Sequence, residues 1–215
     1  MGRRFFPKLK EERAKTRILE VGCGSGANLW MIAREGFTAA GIDLSSAAIE
    51  LCAEMLRRYQ VSAELQVGSM LKLPWPDGHF AAIADVFSSY CLATEDFLHF
   101  LAEAYRVLEP RGRLFVYTSS KASDAWKNPG PSKRIDANTL DGIRRTDSPF
   151  SGNLYPHRFT TPDQFRTQAQ QAGFAIEYCE TVGRTYRNGE EYFEFVVAEA
   201  VKTDKGKSVD FLSIV

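Results

Sequence analysis

ILEVGCGSGANL, residues 18–29, runs from a short apolar stretch through Glu20 into glycines at alternate positions 22, 24 and 26. An apolar run that ends in glycines and feeds the amphipathic segment NLWMIARE reads as a strand, a bare turn and a helix. In an open parallel sheet, that turn is where a ligand can approach the main chain closely. Gly22, Gly24 and Ala27 also satisfy the spacing G-x-G-x-x-G/A, and Asp43 ends the next apolar run where a ribose-binding acid belongs. The glycines alone therefore leave the identity of a nucleotide-like ligand open. Glu20 adds a charge argument: a carboxylate just before the turn attracts a cationic group and repels a pyrophosphate.

Working outward, apolar runs alternate with helical ones: AAGID with SAAIELCAEMLRRY, AELQV with a loop, AAIADVF with EDFLHFLAEAYRVL, and then RLFVYT. This repetition predicts an α/β fold, a doubly wound, mostly parallel sheet with helices on both faces. Leu98, Leu101, Tyr105 and Leu108 recur at helical spacing, with Pro110 and Gly112 stopping the helix. Residues 119–160 lose the pattern, since KNPGPSKR, DSPF and GNLYP supply turn residues, and they read as an insert. Thr161, Pro162 and Gln164 then form a helix start with capping-box spacing, and Gly173 a helix end. AIEYCETV and EYFEFVVAEAV are separated only by GRTYRNGE, too short for a parallel crossover, so an antiparallel hairpin is expected.

The 215 residues, 44% of them hydrophobic, suit one domain over 1–215. Lys plus Arg and Asp plus Glu both number 27, a balance that gives no pull toward nucleic acid or an anionic membrane. No stretch of the sequence has the length and apolarity of a membrane span, and MGRRFFPKLKEERAK lacks the apolar core of a signal peptide, so a cytoplasmic protein is expected. Cys23, Cys52, Cys91 and Cys179 lie far apart without a metal-ligand spacing and read as reduced, mostly buried thiols.

ILEVGCGSG, GIDLS, LPWPDGHF and AYRVLEPRGRLFV, in this order over residues 16–118, resemble the successive motifs of class I S-adenosylmethionine-dependent methyltransferases of the small-molecule type. The resemblance implies a Rossmann-like sheet of seven strands with an antiparallel last strand, and S-adenosyl-L-methionine as cofactor. Carried over by position, Glu20, Gly22, Cys23, Gly24 and Gly26 border the cofactor's amino acid and ribose. Asp43 accepts from both ribose hydroxyls, and Leu44 flanks the adenine. Ser69 stands where many relatives have an Asp for the adenine amino group; it can accept a hydrogen bond, without a charge. Met70 packs on the adenine. Ala81 replaces another common acid.

The end of the fourth strand faces the transferred methyl in this family. That implies a reaction centre lined by Asp85, Phe87, Ser88, Ser89, Tyr90 and Cys91. FSSY lacks the tetrapeptide of enzymes that methylate nucleic acid bases, so the expected partner is a small-molecule acceptor, with no nucleic acid and no membrane. Tyr90 and His157 are the candidate catalytic groups. His157 lies in NLYPHRFTTP, which is similar to a His-x-Phe-Thr segment of small-molecule methyltransferases, and it is the best candidate base for an acceptor that must lose a proton. The insert carries Lys133, Arg134, Arg144, Arg145 and Arg158, suited to a carboxylate or phosphate on the acceptor, and Tyr155 and Trp126; residues 119–160 are expected to cover the substrate. Residues 1–16 make a short cap in which Phe5 and Phe6 could fold over the cofactor, leaving a monomer or a homodimer. The expected activity is methyl transfer to an oxygen or nitrogen, with a sugar or natural-product intermediate as acceptor; a non-catalytic binding protein of the same fold and an NAD-dependent oxidoreductase are the alternatives.

Overall fold

The computed structural model of the chain describes Phe5 and residues 12–204. The first half builds strands β1 (Arg17–Val21), β2 (Thr38–Asp43), β3 (Glu64–Val67), β4 (Phe80–Val86) and β5 (Leu108–Ser119). Helices α1 (Leu29–Arg34), α2 (Ser46–Arg58) and α3 (Thr94–Val107) connect them. The insert holds a short helix α4 (Asp124–Lys127) and a two-stranded ribbon of β6 (Thr139–Leu140) and β7 (His157–Arg158). Helix α5 (Pro162–Gln171) and a hairpin of β8 (Phe174–Tyr186) and β9 (Glu191–Lys202) complete the chain.

The sheet has seven strands in the order β3-β2-β1-β4-β5-β9-β8. Strands β1 to β5 run parallel, and β9 lies antiparallel to both β5 and β8. The order reverses at β1, whose neighbours are β2 and β4, and such a switch point opens a crevice at the carboxyl ends of the strands. Alternation along β1 sends Leu19 to one face, with Phe97, Leu101 and Phe165, and Ile18 to the other, with Leu29, Ile32 and Leu56. Phe5 belongs to this second layer, buried against Phe115 at 5.5 Å between ring centres. Phe6 lies outside the described residues.

Four details refine the sequence-based expectations. Leu108 is not the last residue of a helix but the first of β5, because α3 ends at Val107. Pairing then slips from Phe80–Leu108 to Ala82–Arg113, and Pro110 and Gly112 occupy the loop thrown out between the two registers. The hairpin is tighter than expected: β8 continues through GRTY, and only residues 187–190 turn. The expected capping box forms by half, since the Thr161 hydroxyl accepts from the Gln164 amide at 3.2 Å while the Gln164 side chain faces Asn138. The loop LPWPDG is held from behind by Arg106, which donates to the carbonyls of Leu73 and Trp75 at 2.9 Å each while pairing with Glu103 and Asp77.

Gly41, midway along β2, is where α1 and the glycine turn press on the sheet. A Cβ there would lie 2.6 Å from Leu29 Cδ2 and 2.9 Å from Cys23 Sγ, inside normal packing distance. Gly41→Ala is expected to lower the free energy of urea unfolding by about 1–3 kcal/mol through overpacking; an unchanged midpoint would show that this layer is loose.

Candidate active site

The crevice holds a cavity of about 270 Å³ at the carboxyl ends of β1 to β4. Gly22 lines it from the turn after β1, Asp43 and Leu44 from the end of β2, and Gly68 and Met70 from the segment after β3. Phe87, Ser88, Tyr90 and Cys91 close it from the turn after β4, and Tyr155 reaches in from the insert. Segments distant in sequence meet here because four parallel strands end on one edge.

The turn needs its glycines. Gly22, Gly24 and Gly26 have φ of 59°, 52° and 85°, the left-handed region that costs a side-chain-bearing residue energy. A Cβ at Gly22 would collide with the Ser88 side chain, whereas the Cβ position of Gly24 faces open space. Main chain is thus bared toward the crevice. The turn is fastened to β2 by Asp43, whose Oδ2 accepts from the Gly24 amide and whose Oδ1 accepts from the Ser45 amide, both at 2.9 Å. A carboxylate has about four lone-pair sites. Two therefore remain for donors arriving through the cavity.

Glu20 lies beneath the turn, 2% exposed; its Oε1 accepts from the Asn28 side-chain Nδ2 at 2.9 Å, and its Oε2 has no partner among the described residues. Burial pushes its carboxyl up to about 8, against the lowering effect of the Asn28 bond. A cation placed near it would draw off that proton. Cys23 and Gly26 lie on the buried side of the turn against α2 and β2 and do not line the cavity. Ser69 is turned into its own loop, its hydroxyl accepting from the Leu71 amide at 3.1 Å, while its neighbours Gly68 and Met70 face the space.

On the far wall, Phe87 has φ of 55°, unusual for a bulky residue, and stacks on Tyr90 with ring centres 4.2 Å apart. Asp85 is fully buried below this turn. Its carboxylate accepts from the Ser88 amide and hydroxyl at 3.2 and 2.7 Å, from the Ser89 amide at 2.9 Å and from the Ser89 hydroxyl. The sequence brought Asp85 into the reaction centre; the structure sets it as the post on which the residues of that centre turn. Burial also holds two groups of the wall protonated, pushing Tyr90 up to about 12 and Cys91 up to about 11.

His157 stands one layer behind the cavity, unexposed, with its ring centre 4.5 Å from that of Tyr90. The Tyr155 amide donates to Asn153 Oδ1 at 3.1 Å, which orients the side-chain amide so that Nδ2 donates to His157 Nδ1, also at 3.1 Å. Nε2 then carries the proton and donates to the Ser119 hydroxyl at 2.8 Å. Both nitrogens are engaged, and burial with the Arg158 charge pulls the imidazole down to about 3, leaving it neutral. Around it Phe150, Phe159, Phe193 and Phe195 form a separate small core for the insert. Arg145 pairs with buried Glu191 at 2.9 Å, Arg144 with Asp141, and Arg134 lies on Trp126. These three arginines are thus engaged within the fold, whereas Arg158 is buried over the Phe97 ring with Nε and Nη2 unpartnered among the described residues.

Comparison with known proteins agrees with this geometry. A family described as a methyltransferase domain matches residues 18–112, the span that holds the glycine turn, Asp43 and the turn after β4. Residues 18–112 thus resemble a methyltransferase domain. The chain is 37% identical over 116 residues to a demethylmenaquinone methyltransferase of Tropheryma whipplei, covering 53% of this chain and 46% of that protein. It is 39% identical over 108 residues to a fatty-acid O-methyltransferase of Mycolicibacterium smegmatis, covering 49% and 37%. The chain thus spans less than half the length of these two curated relatives. The fold matches a solved SAM-dependent methyltransferase from Methanosarcina mazei at a TM-score of 0.71 and 20% identity, over 87% of this chain and 92% of that one.

The buried Glu20 makes this fold sensitive to pH. A carboxyl raised above its unfolded value keeps its proton when folded, so its contribution is complete below about 4.5 and is lost as pH rises toward about 8. Urea unfolding of wild type and Glu20→Gln between about pH 5 and 8 should show wild type losing stability relative to the variant, by up to about 1.4 kcal/mol per pH unit. Parallel curves would contradict this.

Proposed function

We propose that this domain binds S-adenosylmethionine in the crevice and methylates an oxygen or nitrogen of a small molecule. The observation that carries the reading is the pairing of a left-handed glycine turn with Asp43, whose carboxylate keeps lone pairs free beside an open cavity. That donor set fits the cofactor: a diol for the carboxylate, an aminoacyl chain for the bared main chain, and an unpartnered Glu20 oxygen below for positive charge.

Bound there, the cofactor supplies a methyl group made electrophilic by a sulfonium. The chain's own residues then bind and align. Asp43 takes the two ribose hydroxyls, Gly22 and Gly24 admit the methionine portion, and Leu44, Gly68 and Met70 flank the adenine. Phe87, Tyr90, Cys91 and Tyr155 surround the acceptor's approach and keep water from it. Tyr90 stays a phenol and can donate a hydrogen bond to the acceptor. His157, neutral and bonded at both nitrogens, holds Tyr90 and the insert in place. Residues 119–160 act as the substrate cover through Tyr155. The two curated relatives named above act on demethylmenaquinone and a fatty acid by their names, which favours a lipophilic acceptor over a sugar.

Isothermal titration should show saturable heat with S-adenosylmethionine and with its demethylated product, S-adenosylhomocysteine, and none with NAD. Asp43→Ala should weaken both about 100-fold or more, the loss of two hydrogen bonds to a charged group at about 1.5 kcal/mol each. Wild-type protein silent toward both ligands, or responding to NAD alone, would overturn the proposal.

A further inference from the structure

The sheet stops at β8, and that strand lies open. In the order β3-β2-β1-β4-β5-β9-β8 it pairs with β9 alone, and residues 180–185 are exposed in succession. Which of its main-chain groups face outward follows from β9. The Glu194 amide donates to the Ser123 hydroxyl at 2.9 Å, and the Glu194 carbonyl accepts from the Ser120 amide at 2.8 Å, both on the β5 side. Glu194 therefore gives no main-chain bond to β8, so its partner Gly183 turns its own N–H and C=O away from the sheet. Alternation sends those of Thr181 and Thr185 the same way, and these groups have no hydrogen-bond partner among the described residues. The Cys179 carbonyl, next in that series, is taken by Arg166 Nη2 at 2.9 Å, which ends the open stretch.

An open edge is a template for another strand unless proline, lysine or a bulge guards it. Residues 178–186 contain neither proline nor lysine, and they pair with β9 without a break in register. Their charges are Glu180 and Arg184, opposite in sign and each two residues from Val182, which is 51% exposed. Neither makes an ion pair among the described residues: the Glu180 carboxylate accepts from the Tyr178 hydroxyl, and Arg184 lies over the Tyr186 ring.

We propose that β8 is a homodimer interface, at which two copies of this chain join edge to edge and antiparallel about a twofold axis at Val182. Such an interface is isologous, so the edge must complement itself. The charges select the register. With Val182 opposite its own copy, Glu180 of each chain faces Arg184 of the other on both sides of the axis. Sliding one strand by two residues sets these charges against Tyr178, Val182 or Tyr186, and sliding it by four sets like charges face to face. In the selected register the outward groups match as well, because Thr181 lies opposite Gly183 of the second copy and can exchange both main-chain bonds with it. Glu180 and Arg184 then occupy non-hydrogen-bonded positions, where facing side chains come closest. Two apolar Val182 side chains meet at the axis. The inference is independent of the function proposed above.

The test is sedimentation velocity on the full chain over a dilution series, which should show a dimer that dissociates as it is diluted. Arg184→Glu and Glu180→Arg each place like charges across the joint on both sides of the axis, and each should weaken the dimer about 10-fold or more. Mixing the two variants in equal amounts sets opposite charges across the joint again, so association should return as a heterodimer. Circular dichroism matching that of wild type checks that each variant is folded. Wild type that stays monomeric throughout, a dimer as strong in both variants as in wild type, or a mixture no more associated than its two components would each overturn the proposal.

Discussion

A single contact, the Gly24 amide donating to Asp43 Oδ2, joins the turn after one strand to the tip of its neighbour. It depends on parallel register: Val21 pairs with Ile42, so both chains leave the sheet side by side and at the same height. It also depends on left-handed glycines, because only a turn of that shape presents its amide sideways to the carboxylate. Without the contact, the turn and the acid would be separate features of a common fold. With it, they form one cradle, a bare main chain on one side and a half-satisfied carboxylate on the other.

Buried charge beneath that cradle follows one rule: each acid or base is either saturated or set apart from the cavity. Asp85 takes four hydrogen bonds and fixes the turn that carries Tyr90. His157 is sealed with both nitrogens bonded. Glu20 Oε2 has no partner among the described residues, and it lies directly below the turn. A group that reacts with a preformed electrophile needs alignment and dryness more than it needs a strong protein base. Phe87, Tyr90 and Tyr155 line the cavity as an aromatic wall suited to both.

The sheet and the cradle were legible because their signals are local. Alternating apolar and amphipathic runs predicted the order of strands and helices, and glycines that must adopt positive φ stand out in any strand-to-helix turn. The hairpin was legible in kind, since eight residues cannot make a parallel crossover, but not in extent: GRTY reads as turn chemistry and becomes strand only because β9 offers partners for each residue from Gly183 to Tyr186. The insert was least legible. Its turn residues concealed the ribbon of β6 and β7, whose burial of His157 depends on aromatics from the distant segments 87–90 and 193–195. Likewise Asp85 could be placed at the end of a strand from sequence, whereas its saturation by two serines is a product of how the chain turns after it. Gly68 and Ile42 line the cavity without any side-chain signal that sequence reading could catch.

The account stands on where a ligand sits relative to Asp43 and the glycine turn. A crystal structure of the protein with S-adenosylhomocysteine measures this directly. It should show both ribose hydroxyls on the Asp43 carboxylate, the aminoacyl end along Gly22 and Gly24, and the sulfur directed toward Tyr90. Ligand bound elsewhere, or an Asp43 carboxylate making no contact with the ribose, would contradict it.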